Sequence, residues 1–537
     1  KGKGRYKAAP EKSLQAALAG LEKKRQQAII QQQYVDELVQ GRLPDAIRTN
    51  TVALLCKPDK NSIEYKALLA ACDELHISPE RLLLDLGGIS NPKELHLARF
   101  LFENFPKGTR FPKIDIPDTA LELPEAEVNA FSIDDITTTE IDDAFSVTTL
   151  ADGNIRIGIH IAAPALGMKP DDSLDEIAKK RLSTVYMPGD KITMLPDELV
   201  NQFTLSAGEK RPAMSLYATL NPQDWSVLET ETRAEMIRVA ENLRHNDLDS
   251  LITAESLEKR EGEYPHKDDI AVLWHCSQVF EKKRMEKREG FGLRPEQNNR
   301  VDFNFYVDEN DIVTIERRKR TAPLDKIVAE LMIFANSTWG KLLHEHGIPG
   351  IYRSQGGGTG SWLNRMQVKM VTHAAPHQGL GVDQYAWCTS PLRRYTDLVN
   401  QWQILACVNY GITAPLSAPF KPKDANLFAI VSAFDSVYSA YGEFQSKMER
   451  YWCLRWLSQN NVRQVEAVVI RDEMLRLVDI PLTIAMPGMR PLARGTQVRV
   501  DLIRWDEIDL SVEARLLDVT ENVDETASDE NEEELTE

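Results

Sequence analysis

Between Phe131 and Phe145, five carboxylates (Asp134, Asp135, Glu140, Asp142 and Asp143) fall within ten residues whose neighbours are otherwise β-branched or apolar. Such neighbours favour burial, and an acid taken out of water needs a hydrogen-bond donor, a base or a metal ion beside it. The fold must therefore set a group of acids at the edge of a core and supply what neutralises them. Hard divalent cations suit that task, because they take oxygen ligands; magnesium in particular uses one or two carboxylates and keeps positions for water and phosphate. The same spacing also fits a polar turn closed by an Asx cap, and spacing alone leaves the two readings level.

The chain around this segment has 537 residues and is 42% hydrophobic, enough for three or four domains at about 150 residues each. No apolar run approaches the roughly 18–20 residues of a membrane-spanning helix, and the N-terminus lacks the order of a secretory signal. The cysteines Cys56, Cys72, Cys276, Cys388, Cys407 and Cys453 are scattered, with no pair at zinc-ribbon spacing, which fits a reducing compartment. The expectation is a soluble cytoplasmic protein without a membrane partner, a monomer by preference.

The net charge of -18 argues against general affinity for phosphate backbones. Its distribution weakens that objection, since residues 518–537 carry ten acids and no base and read as a disordered acidic tail. Residues 1–112 carry 18 bases against 13 acids. Any nucleic-acid path must be a local basic groove.

Residues 13–40 read as one long helix, with Leu14, Leu18, Leu21, Ala28, Tyr34, Val35 and Leu38 along one stripe and Gly41 as its stop. Three shorter helices follow, opened by Ser62, by Ser78 before Pro79, and by Asn91 before Pro92. This module, 1–112, is either a helix-turn-helix unit or a helical packing domain. Pro106, Pro112, Pro117 and Pro124 mark a boundary. Beyond them a large mixed α/β region, 113–460, is expected to hold strands at 155–161 and 301–307 and helices at 324–344 and 427–457. From 464 to 517, short β-rich runs separated by Pro/Gly turns or polar residues have the look of an OB-fold-like barrel. The fold class expected is thus multidomain α+β. Gly356, Gly357, Gly358, Thr359 and Gly360 lack the Lys-Ser/Thr of a phosphate-binding loop and read as a flexible turn.

The acidic segment resembles the catalytic RNB domain of the ribonuclease II and ribonuclease R exoribonucleases, whose signature is an Asp followed six, eight and nine positions later by three more. Asp134, Asp142 and Asp143 match the first, third and fourth, and Glu140 stands where the family usually has Asp. The resemblance continues through Thr184–Pro188 with Met194–Pro196, through Ile327–Ile333 with Ala335 and Asn336, through Thr389–Leu398, and ends at Met448–Arg450. Ala163 replaces a common Asp, and Gln401 and Trp402 replace a common His-Arg pair. The family's N-terminal cold-shock barrels are not visible in this sequence.

What the resemblance implies is a processive 3′ to 5′ exoribonuclease that hydrolyses single-stranded RNA to 5′-nucleoside monophosphates with magnesium, or manganese in its place. Two clamped metal ions would activate water and relieve phosphate charge. Asp134 and Asp143 would be the first metal ligands; Asp142 would orient the terminal ribose or a second metal, which Glu140 would assist. Arg393 would clamp the scissile phosphate, with Arg394 a weaker candidate. Tyr186 and Phe305 would stack on bases, where alone either reads as core, and Glu449 would serve as a catalytic acid or else pair with a neighbouring base such as Arg450. Apart from the resemblance, the run Arg317-Arg318-Lys319-Arg320 reads as a phosphate-contacting stretch or as a solvated charged face. A second reading keeps the fold and RNA binding without turnover, as a regulator.

Overall fold

The computed structural model describes residues 10–114, 122–293, 301–319, 322–356 and 367–521. The chain divides into two compact units, one of Lys1–Arg110, Tyr306–Ile315 and Ser446–Glu537, the other of Phe111–Phe305 and Glu316–Gln445.

In the first unit, the side chains of Ser62, Ser78 and Asn91 each accept a backbone N–H from the first turn they open, at 3.1, 3.2 and 2.9 Å. The caps read from sequence are the caps that form. The long helix runs Glu11–Val39, and its chain reverses at Gly41 with φ +79°, a conformation that needs no Cβ. Only its last turns are buried, where Val35 and Leu38 join Ile47, Leu68 and Leu83. The expected stripe does not reach further back, and Leu14, Leu18 and Leu21 are exposed. The C-terminal residues form a five-stranded antiparallel sheet, ordered Thr483–Ala485, Met474–Leu477, Gln464–Arg471, Gln497–Asp506 and Ser511–Glu521, in keeping with the OB-like expectation. Alternate residues Val498, Val500 and Leu502 are buried, the period-two signature of a half-buried strand. The last strand continues to Glu521, four residues into the stretch expected to be tail. Residues 522–537 and Gly357–Gly360 lie outside the described residues. The helical module and the sheet share this unit: His96 Nε2 meets the Glu507 carbonyl at 2.8 Å and Lys93 pairs with Asp311 at 2.6 Å.

The second unit is built on a closed barrel. Its strands are β1 (Ala130–Asp134), β2 (Asp143–Thr149), β3 (Ile155–Ala162), β6 (Lys210–Leu220) and β7 (Val227–Arg244); a short hairpin of β4 (Val185–Met187) and β5 (Asp190–Ile192) lies between β3 and β6 in sequence. Neighbours are antiparallel except where β1 closes on β7 in parallel. The helices Pro323–Glu345 and Tyr395–Tyr410 belong to the same unit and share its core, with Leu331, Trp339, Leu398 and Val399 buried.

On β3, Ile157, Ile159 and Ile161 form one buried face, while His160 on the other is held between Ser215 Oγ at 2.8 Å and Ser146 Oγ at 2.9 Å. Gly158 leaves room for this arrangement: a Cβ there would meet Ser146 Oγ at 2.4 Å and His160 Nε2 at 2.7 Å. Burial pushes the His160 imidazole down to about 3. The unfolded chain binds a proton near pH 6.5 that the folded barrel refuses, so this contribution is intact above that pH and falls as pH drops toward the folded value. The expected loss is roughly 1.4 kcal/mol per pH unit between about pH 6 and 4. Urea unfolding across that range checks it, and an equally steep acid loss in His160→Asn would refute the assignment.

Candidate active site

Asp134 ends β1, where its register partner is Arg244 at the end of β7. Ser132 Oγ donates to its carboxylate at 2.6 Å, and Asn242 Nδ2 donates to that hydroxyl at 2.8 Å. The chain then turns and re-enters the barrel at Asp143, opposite Ile161 of β3. Just before that strand, Asp142 is buried and its carboxylate accepts the Leu392 N–H at 3.0 Å and Arg393 Nε at 3.1 Å. Arg393 also donates to Ser390 Oγ at 2.9 Å. The acids of one barrel edge and the loop before helix Tyr395–Tyr410 thus meet.

Burial raises the carboxyls of all three aspartates. Asp142 is pushed up to about 7, with Glu140 and Asp397 adding repulsion and Arg393 opposing it. Asp143 lies well above the usual carboxylate range, through burial and then the charges of Asp134 and Asp142. Asp134 is raised by burial against the pull of Ser132, Arg244 and His245. Like charges crowded out of water are neutralised by taking up protons or by an added cation. An all-oxygen donor set of this kind would suit a hard divalent ion, and Asp134 and Asp143 are carboxylates that could offer it ligands.

Glu140 is bound differently. Its carboxylate accepts Lys191 Nζ at 2.8 Å, the Tyr186 hydroxyl at 3.2 Å and Thr184 Oγ1 at 3.4 Å. Tyr186 is in the same electrostatic neighbourhood: burial raises its hydroxyl, with Arg393, Glu140 and Asp142 as the charges it feels. Asp134, Glu140, Asp142, Asp143, Tyr186 and Arg393 are therefore brought together.

The other candidates have the following surroundings. Arg394 spends its guanidinium on fully buried Asp397, at 2.9 and 2.7 Å, over the ring of Trp387. Arg317 is exposed. Arg318 joins Asp135 at 3.0 Å, Asp249 at 3.3 Å and Asp325 at 2.6 Å. That guanidinium sits among the one group of three His, Cys, Asp or Glu side chains, His245, Asp249 and Asp325, found close enough to share an ion among the described residues. There the arginine is the cation. Phe305 is half-buried on the strand Val301–Val307, and Glu449 is half-buried on helix Ala425–Gln459 in the first unit. Gln401, in place of the family histidine, bridges the chain at Ala162 and Ala165, and Trp402 donates to the Met168 carbonyl. Both are packing residues.

Sequence reading missed Lys191, Ser132 and Asn242. Lys191 lies between the segments Thr184–Pro188 and Met194–Pro196, and hairpin pairing was the available signal: a lysine five residues after Tyr186 across a Pro-Gly turn. Nothing local marks Ser132 or Asn242, because their roles arise from the β1–β7 closure.

The RNB domain matches residues 126–371 and 361–410, more than half of the chain, and the chain belongs to that family. An uncharacterized ribonuclease from Synechocystis sp. is 27% identical over 464 residues, covering 80% of this chain and 66% of that one. Exoribonuclease 2 of Vibrio vulnificus is 27% identical over 326 residues, 52% and 48% of the two chains. The chain thus spans about half to two thirds of these curated relatives. Among solved structures, an active-site mutant of the Dss1 exoribonuclease from Candida glabrata superposes with TM-score 0.67 at 19% identity, over 88% of this chain and 67% of that one. RNase R of Mycoplasma genitalium, in complex with ribose-methylated single-stranded RNA, gives 0.63 at 14%, over 79% and 77%. Yeast Ssd1, a pseudonuclease, gives 0.55 at 14%, over 77% and 58%. These likenesses are of fold.

Proposed function

We propose that the chain is a 3′ to 5′ processive exoribonuclease that hydrolyses single-stranded RNA to 5′-nucleoside monophosphates with magnesium, or manganese, as its cation. The observation that carries this reading is the convergence of Asp134, Asp142 and Asp143 with Arg393 in one buried, under-neutralised site. Asp134 and Asp143 hold the divalent ion, which when bound supplies charge relief for the phosphate and an activated water. Asp142 fixes Arg393 through Nε, and the guanidinium, 39% exposed as a side chain, presents its remaining donors to the scissile phosphate. Tyr186, its hydroxyl tethered to Glu140, offers a ring on which the terminal base stacks.

The relatives named as ribonucleases support this reading. The test is a time course of 5′-labelled single-stranded RNA with magnesium, with chelator, and with a blocked 3′ end. A metal-dependent passage from full length to a short limit product, slowed by the block, is the expected result. Intact RNA that shifts in a binding gel would favour a second reading, an RNA-binding regulator without turnover. The similarity to a pseudonuclease keeps that reading in play, as does the engagement of Glu140 by Lys191. In the same assay Tyr186→Ala is expected to lengthen the limit product, because short RNA loses its stack and leaves earlier. An unchanged end product would remove Tyr186 from the RNA path.

A further inference from the structure

Two kinds of acid share this site, and they differ in what neutralises them. Asp143 faces the charges of Asp134 and Asp142 with Arg393 opposing, and Arg393 Nε is already bonded to Asp142. Glu140, only 3% exposed as a side chain, has its own ammonium at 2.8 Å. That ammonium is built in by topology: Tyr186 and Lys191 are directly opposed in the β4–β5 hairpin, so both side chains leave the same face and both end on Glu140 Oε2. Lys191 Nζ is fixed further by Thr139 Oγ1 at 2.6 Å. The other carboxylate oxygen takes Thr184 Oγ1, whose hydroxyl also accepts the Met194 N–H at 3.0 Å. A buried acid so supplied has no need of a metal, and an ion bound to it would have to displace or repel the ammonium.

We propose that Lys191 is the permanent cation of Glu140, so that Glu140 positions the Tyr186 hairpin instead of ligating metal and the site holds one divalent ion rather than two. The inference rests on the metal reading of Asp134 and Asp143 given above. It makes Lys191 and Glu140 positioning residues. The extra methylene of Glu140 over the family's usual Asp belongs to this arrangement.

Counting bound Mn2+ by EPR titration of the whole chain tests it. The wild type is expected to bind one ion, Glu140→Gln also one, with affinity lowered by no more than the roughly 10–100-fold typical of a residue behind the ligands, and Asp143→Asn none. Lys191→Met, which leaves Glu140 without its cation, is expected to gain a second Mn2+, while Lys191→Arg stays at one. Two ions on the wild type, one of them lost in Glu140→Gln, would overturn the inference and leave the metal reading standing. A count still at one in Lys191→Met would overturn the part given to Lys191. No Mn2+ on the wild type would overturn the metal reading, and the inference with it.

Discussion

Asp143→Asn is expected to lower RNA turnover by about 10³-fold or more, since it exchanges the anionic carboxylate proposed to hold the cation for a neutral amide and so removes the electrostatic stabilisation that the ion would supply. RNA affinity should change far less than turnover, because the proposed grip on the strand, through the Tyr186 ring and the Arg393 guanidinium, does not pass through this carboxylate. The same substitution should make the metal-free protein more stable, for the carboxyl it replaces is buried among like charges and is held well above its usual range. Loss of rate with a gain in melting temperature in chelator is a signature that general damage to the barrel would not give. Turnover within about tenfold of wild type would remove Asp143 from the cation site.

The two adjacent arginines should fail in opposite ways. Asp397 is fully buried, and Arg394 meets both of its oxygens. Arg394→Met is therefore expected to cost about 3–5 kcal/mol of stability, the result of leaving a buried charge without its partner. Replacing Asp397 by Leu as well should recover much of that loss. Arg393→Gln, by contrast, removes a partly exposed group and should cost about 10²-fold in turnover with a far smaller effect on folding. Urea unfolding and single-turnover cleavage of the same variants separate the two roles. A rate defect in Arg394→Met at full stability would return that residue to the substrate path.

The sequence was most informative where local chemistry decides structure. Ser62, Ser78 and Asn91 open helices because a side-chain oxygen can reach the first turn from where it stands. The strand Val301–Val307 and the helix Pro323–Glu345 follow from their own periodicity. The acidic segment stood out because five carboxylates lie among apolar neighbours, but its spacing fitted an Asx-capped turn as well as a metal site, and the resemblance to the RNB family decided between them. What escaped notice depended on distant partners. Leu14, Leu18 and Leu21 look like a core stripe, yet the packed helices of their unit cover only the far end of that helix. Thr483–Ala485 is too short after Pro481 to show as a strand. The pattern Arg317-Arg318-Lys319-Arg320 suggests phosphate contacts, but Arg318 is matched to carboxylates drawn from three separate segments. Charge along a chain reports what a residue can bind, and closure of the fold decides which partner it meets first.

That closure also sets a schedule. Asp142 leaves the ribosome 250 residues before Leu392, whose N–H it needs, a delay of roughly 12–50 s at about 5–20 residues per second. Asp134, likewise, waits for Arg244 and the rest of β7 before its strand has a parallel neighbour. Until residue 392 has emerged, the acids of this barrel edge lack the loop whose N–H and guanidinium fix Asp142.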